Sequence, residues 1–400
     1  MRIIFFAGKG GVGKTSSSAA TGIRSAALGH RTLVLSLDTA HNLADIFDLP
    51  RSLLDQNRGE PFNVAENLWI QELDIQEELK KDWGEIHAYI SKVITAAGVE
   101  EVMAEELAIL PGMEELSLLL KINLYVTEKT YDVIVLDSAP TGEAVRFISI
   151  PTALEWYMKK FFNLERNVMR VARPVVQRLT NVPLPDDNYF GAIKTLFEKI
   201  RGVDKILADP DITTVRLVAN PEKIVLAETQ RAFMYFTLYR MHVDCVIMNR
   251  MLPQKVADGY FQGWKKNQAM YMRKAVETFA PVPVFSVDLF PGEVLGYDSL
   301  NELGKRLYGD RSPLTRFHDE RAYELSKKDG IYRLAIKLPF AEKRDVTVNR
   351  TKEELIIRVG SVKRHVLLPM HVAAAKAVKA KFEGDFLCVY FEGEKHGKKA

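Results

Sequence analysis

The string Gly8-Lys9-Gly10-Gly11-Val12-Gly13-Lys14-Thr15, set directly behind the apolar run Ile3-Ile4-Phe5-Phe6-Ala7, constrains this chain more than any other feature. It meets the pattern G-x-x-x-x-G-K-[ST]. Glycines let a backbone approach a ligand that a Cβ would hold off. The N–H groups of such a loop converge on phosphate oxygens, and the helix behind it presents its positive end to them. The run before the loop has the unbroken apolarity of a strand buried on both faces. In this setting Lys14 is expected to reach the β- and γ-phosphates of ATP and Thr15 to ligate Mg²⁺, with Ser16 among the nucleotide contacts.

The chain continues in the same rhythm. The pattern predicts a helix over Lys14 to Leu28 and strands over Thr32 to Leu37, Tyr131 to Leu136, Val215 to Ala219, Val243 to Met248 and Val282 to Val287. Helical patterns between them imply an α/β fold: a mostly parallel sheet covered by helices over residues 1–308. Two stretches, near 76–106 and 152–205, are longer than a crossover needs and read as helical insertions. Residues 309–329 are charged and turn-prone, as in a linker. From 330 to 393 the period changes to two, with strands over Tyr332 to Leu338, Val346 to Val348, Glu354 to Val359, Arg364 to Leu368 and Phe386 to Phe391. That implies a small all-β sandwich, followed by a charged tail, 394–400.

Composition narrows the function. A net charge of +3 on 400 residues argues against a nucleic-acid binder. The two cysteines, Cys245 and Cys388, are far apart and each sits among apolar residues, so they read as core thiols. No apolar run is long enough to span a bilayer or serve as a signal peptide, so the expected location is cytoplasmic.

Asp38 and Asp137 each follow an expected strand. Ligands of open α/β sheets sit at the carboxyl ends of strands, where the glycine loop also lies. A carboxylate there can hold Mg²⁺ through water or orient an attacking water; Asp137 is a Walker B-type aspartate by position. The competing reading for either is a helix N-cap.

Several strings resemble the arsenical-pump and tail-anchored-protein-targeting ATPases. Lys9 matches their signature lysine. Asp38-Thr39-Ala40-His41-Asn42-Leu43-Ala44-Asp45 resembles their first switch, and Asp137-Ser138-Ala139-Pro140-Thr141-Gly142-Glu143 their second. Leu110 to Glu115, Asn220-Pro221-Glu222 with Glu228-Thr229, Asn249, and Phe290 to Gly296 match further motifs in order. The resemblance implies a homodimer in which Lys9 reaches the partner's nucleotide. It implies that Asp38 acts on the hydrolytic water, Asp137 supports Mg²⁺, and Glu222, Asn249 and Pro291 contact the nucleoside. His41 belongs to the switch but receives no chemical role. The chain lacks the family's zinc-binding C-x-x-C pair and its metalloid-binding cysteine cluster, so no zinc is expected and arsenite binding through thiolates is not supported.

Leu338-Pro339-Phe340, Asp345 to Val348, Leu355 to Ile357, Leu367 to Pro369 and Ala380 to Val389 resemble the α-crystallin domain of small heat-shock proteins. Within the second insertion, Leu154, Trp156, Tyr157, Met158, Phe161, Phe162, Leu164, Val168, Met169 and Val171 are dense enough to line a groove for a hydrophobic client helix. A plainly buried helical layer would look the same. The leading expectation is an ATP-gated chaperone or targeting factor for membrane-protein segments. The alternatives are an arsenite- or antimonite-stimulated pump-driving ATPase and a ParA- or MinD-like spatial regulator.

Overall fold

The computed structural model describes all residues except 39–41, 110–111, 163, 170–182, 257–258, 352 and 393–400. Eight strands form one sheet: β1 (Arg2–Gly8), β2 (Thr32–Ser36), β3 (Phe62–Ala65), β4 (Leu68–Gln71), β5 (Val133–Asp137), β6 (Thr213–Ala219), β7 (Val243–Met251) and β8 (Val284–Asp288). Their order is β3-β4-β2-β5-β1-β6-β7-β8. Every neighbouring pair is parallel except the β3–β4 hairpin. β1 lies inside, between β5 and β6, and all of it beyond Arg2 is buried, which is why its sequence is apolar without alternation.

The mostly parallel sheet matches the expectation, with local corrections. The β3–β4 hairpin was not anticipated: each strand has four residues, too few for a period to register. Asp137 closes β5 instead of following it, and β8 runs from Val284 to Asp288 rather than from Val282 to Val287.

The insertions break into short helices. The first comprises Ile75–Asp82, Gly84–Ala96 and Glu101–Leu107. Asp74 caps it by accepting from the Gln76 N–H at 2.9 Å. Trp83 seats it on the helix Met113–Glu128 by donating from Nε1 to Ser117 Oγ at 2.9 Å. The second begins in the helix Thr141–Tyr157, passes through a wide π-type turn at Met158–Phe162 and resumes in Asp187–Ile200 and Val203–Ala208.

Arg216 on β6 is fully buried. It donates from Nη1 to the Tyr308 hydroxyl (2.7 Å) and from Nη2 to the Pro313 carbonyl (2.6 Å), and its Nε faces Asp244 at 3.4 Å. The Tyr308 and Thr21 hydroxyls are 2.6 Å apart. One guanidinium thus fastens the helices Lys14–Ala26 and Gly296–Tyr308 to the middle of the sheet.

The C-terminal part holds β9 (Tyr323–Lys328), β10 (Ile331–Lys337), β11 (Val346–Arg350), β12 (Glu354–Val359), β13 (Val362–Leu367), β14 (Lys376–Glu383) and β15 (Phe386–Glu392). They form antiparallel sheets of four strands (β14-β15-β10-β9) and three (β11-β12-β13). β9 falls inside the segment read as a linker: its charged, largely exposed edge position hides it from a pattern search. β14 was also not anticipated.

This sandwich is docked, not tethered. Its core of Leu334, Ile336, Leu355, Ile357, Leu387, Val389 and Phe391 continues into Met234 and Leu238 of the helix Lys223–Leu238. Tyr323 donates its hydroxyl to the Leu238 carbonyl at 2.8 Å, and Phe340 packs edge-on against Phe233 and Phe279. β13 meets the helix Thr141–Tyr157 through a hydrogen bond from Arg364 to Thr152 and ring contact of His365 with Trp156 at 5.5 Å. Among the described residues no helix is long and apolar enough to cross a membrane.

Candidate active site

The glycine loop leaves the carboxyl end of β1 and turns into the helix Lys14–Ala26. Gly13 makes that turn at φ 95°, and a Cβ there would stand 2.3 Å from Asn249 Nδ2. Asn249, near the end of β7, clamps the loop: its amide donates to the Val12 carbonyl at 2.9 Å while its Oδ1 accepts from the Arg250 N–H at 2.9 Å. Sequence reasoning assigned Asn249 to the nucleoside alone and missed this bracing role. Side-chain direction in a strand is set by the register of its neighbours, which a single sequence does not display.

Lys14 is buried and donates to the Lys9 carbonyl at 3.2 Å. Burial lowers its ammonium pKa, against the pull of Asp137, then Asp38, Glu228 and Glu143. Lys9 is half-buried at the start of the loop.

Asp137 sits on the next strand, fully buried. Burial pushes its carboxyl up to about 6, although Thr15, Lys14 and Ser18 draw it down. Its Oδ1 has no hydrogen-bond partner. A buried orphan oxygen beside the Thr15 hydroxyl, facing a phosphate loop, is the donor set that a hard divalent cation takes. The residues therefore fit Mg²⁺, with Thr15 and Asp137 as holders.

Asp38 lies two residues beyond β2, half-buried, with its backbone tied to Ser36 Oγ at 3.2 Å. Both aspartates thus stand at the carboxyl edge beside the loop, and the N-cap positions of the helices that follow them belong to Asn42 and Pro140. The first switch continues into the helix Leu43–Ile46; His41 lies outside the described residues. Glu72, just past β4, accepts from the Leu43 N–H at 2.6 Å and the Ala44 N–H at 3.3 Å, and so anchors the far side of that switch. Glu72 was not singled out in the sequence because its strand was not.

Glu114, from the motif Leu110 to Glu115, lines a small cavity with Leu37, Ser138, Glu143 and Arg146. Burial, then Glu115, Asp38 and Glu143, raises its carboxyl pKa. Leu110 and Pro111 lie outside the described residues. On the other side of the loop a cavity of about 540 Å³ gathers Ser16, Asn249, Arg250, Phe290 and Pro291. It brings together three of the expected nucleotide contacts. Glu222 is not among its lining residues; it is exposed at the start of the helix Lys223–Leu238.

A glycine loop between a central parallel strand and a helix, a buried lysine and two carboxylates on the adjoining strand ends define a P-loop nucleotide hydrolase, here fused to a β-sandwich. Comparison with known proteins is more specific. The chain belongs to the anion-transporting ATPase family, whose profile matches residues 1–309, and it is an ATPase of that family. The HSP20-like domain found in ArsA matches residues 329–391, in accord with the sandwich. A protein of Aquifex aeolicus (strain VF5) named "Putative arsenical pump-driving ATPase 1" is 46% identical over 394 residues, covering 98% of this chain and 100% of that protein. One of the same type from Prosthecochloris vibrioformis is 38% identical, covering 100% and 98%. The "ATPase get3" of Sclerotinia sclerotiorum is 29% identical over 315 residues, covering 77% and 89%.

Proposed function

We propose that this chain hydrolyses Mg-ATP as a homodimer and that its nucleotide state drives a membrane-associated partner. The observation that carries the reading is the convergence of Lys14, which opens the helix behind the glycine loop, with Asp137 at the end of β5 and Asp38 just beyond β2. Lys14 neutralises phosphate charge, Lys9 extends toward the partner protomer's nucleotide, and the loop N–H groups hold the phosphates in line. Thr15 and Asp137 would hold Mg²⁺, which would supply positive charge to offset that of the phosphates. Asp38 aligns the attacking water. The cavity at Asn249 and Pro291 accommodates the nucleoside.

For the partner, the names of the relatives favour the pump-driving reading over the chaperone reading that the sequence analysis put first, and we take it as the leading one. A metalloid effect on this chain would not run through a thiolate cluster. Cys245 lies in β7 and Cys388 in β15; both are buried, and burial raises both thiols above their ordinary pKa. No group of three metal-competent side chains occurs among the described residues. The client-helix reading stays second because Phe161, Leu164 and Val168 are 45%, 61% and 51% exposed, more than a plainly buried layer requires. Val171 lies outside the described residues.

Asp38→Asn tests the catalytic reading: ATP binding persists and turnover is lost, whereas unimpaired hydrolysis removes Asp38 from its role. Arsenite and antimonite titrations of wild-type ATPase activity test the pump reading. Stimulation supports it; a flat response removes it and leaves the client reading, which is tested by what copurifies with the Asp38→Asn dimer.

A further inference from the structure

We propose that the cleft between the ATPase domain and the β-sandwich binds a small anionic metabolite through phosphoryl or carboxyl oxygens. The cleft has a volume of about 350 Å³. It opens at the amino ends of β6 and β7, the edge of the sheet opposite the glycine loop. Four cationic side chains from four segments line it: Lys205, Arg240, Arg321 and Arg364.

Their donors are largely unfilled. Arg364 is held by bonds to Thr152 and to the Tyr323 hydroxyl and lies over the Tyr239 ring at 4.8 Å, yet its buried Nε has no hydrogen-bond partner. The Arg240 guanidinium rests on the Tyr323 ring at 5.3 Å and makes no side-chain hydrogen bond or ion pair among the described residues. The guanidinium of Arg321 and the ammonium of Lys205 have no partner among the described residues. Three carboxylates share the lining, Asp204, Asp209 and Asp211. Asp211 pairs with Arg316 at 2.5 Å, and Asp209 Oδ1 accepts from the Asp211 N–H at 3.0 Å. The four cations still outnumber the three lining carboxylates.

Guanidiniums crowded around a concave space, one with a buried orphan N–H, are relieved by an oxyanion that accepts from several of them. A junction between domains is also where pockets of this size take small ligands. The ligand would touch both domains, so its binding would stabilise the docked arrangement.

The test uses the full chain with the phosphate loop disabled by Lys14→Ala, in metal-free buffer at fixed ionic strength. Pyrophosphate and citrate are titrated separately and followed by calorimetry. One saturable event with either probe is expected, and which probe gives it identifies the phosphoryl or carboxyl class. Adding Arg321→Gln, an exposed change that spares folding, should weaken that event by about tenfold, as loss of one charge-assisted hydrogen bond implies. No saturable event with either probe overturns the proposal, and so does an affinity unchanged by both Arg321→Gln and Lys205→Met.

Discussion

Replacing Asp137 by asparagine should make the nucleotide-free protein more stable while impairing it. The carboxyl lies fully buried with its pKa raised from an ordinary 3.8 to about 6, chiefly by loss of water. That value already contains the attraction of Lys14, so the ionised form carries a net penalty in the folded state. A shift of roughly two units corresponds to about 3 kcal/mol at neutral pH. The sign follows from proton binding. The folded state holds the proton more tightly than the unfolded chain, so wild-type stability falls as pH rises from about 4 to about 6 and the penalty is complete above that. Asparagine keeps the shape, leaves the Thr15 and Ser18 hydroxyls something to bond, and never ionises. Urea unfolding of both proteins, without metal or nucleotide, should show the variant more stable by up to about 3 kcal/mol at pH 8, with the gap closing toward pH 4. A variant equal to or weaker than wild type at pH 8 would refute the reasoning, because it would mean that the folded site already compensates the charge. The same change should strongly weaken Mg-dependent turnover, since a neutral amide holds Mg²⁺ less tightly than a carboxylate.

Other expected outcomes follow from the described geometry. Gly13→Ala forces a Cβ into a left-handed turn and against Asn249, costing about 1–2 kcal/mol and weakening ATP binding, measurable by calorimetry with the chain still folded. Arg216→Met strands buried Asp244 and frees Tyr308, so it should cost about 3–5 kcal/mol in urea unfolding. Leu238→Ala opens the core shared with the sandwich, so it should cost about 2–5 kcal/mol and separate the unfolding of the two domains in calorimetry.

Legibility followed the reach of the forces involved. The glycine loop, β1 and the inner strands could be read because their signals are local: glycine geometry, unbroken apolarity, a carboxylate at a strand end. The β3–β4 hairpin and β9 could not, because strands of four to six residues at or beside a sheet edge are too short and too mixed in polarity for a period to register. The same applies to Glu72, whose role depends on β4 lying beside the first switch. In the sequence Arg216 looks like a flaw in an apolar strand. Its acceptors at Tyr308 and Pro313 lie 92 and 97 residues away, so only the fold reveals it as a fastener. The apolar residues of the second insertion were read correctly as dense, but density is silent on exposure, and Phe162 turns inward while its neighbour Phe161 turns out.

The helix Thr141–Tyr157 begins inside the second switch, a few residues beyond Asp137, and its far half lies against β13. Seventeen residues make a rod of about 25 Å. A tilt of about 5° at its phosphate end swings the other end by about 2 Å, more than the slack in a packed interface. Any change of angle in this helix must therefore be met at the sandwich by sliding, by strain or by the parting of the two domains.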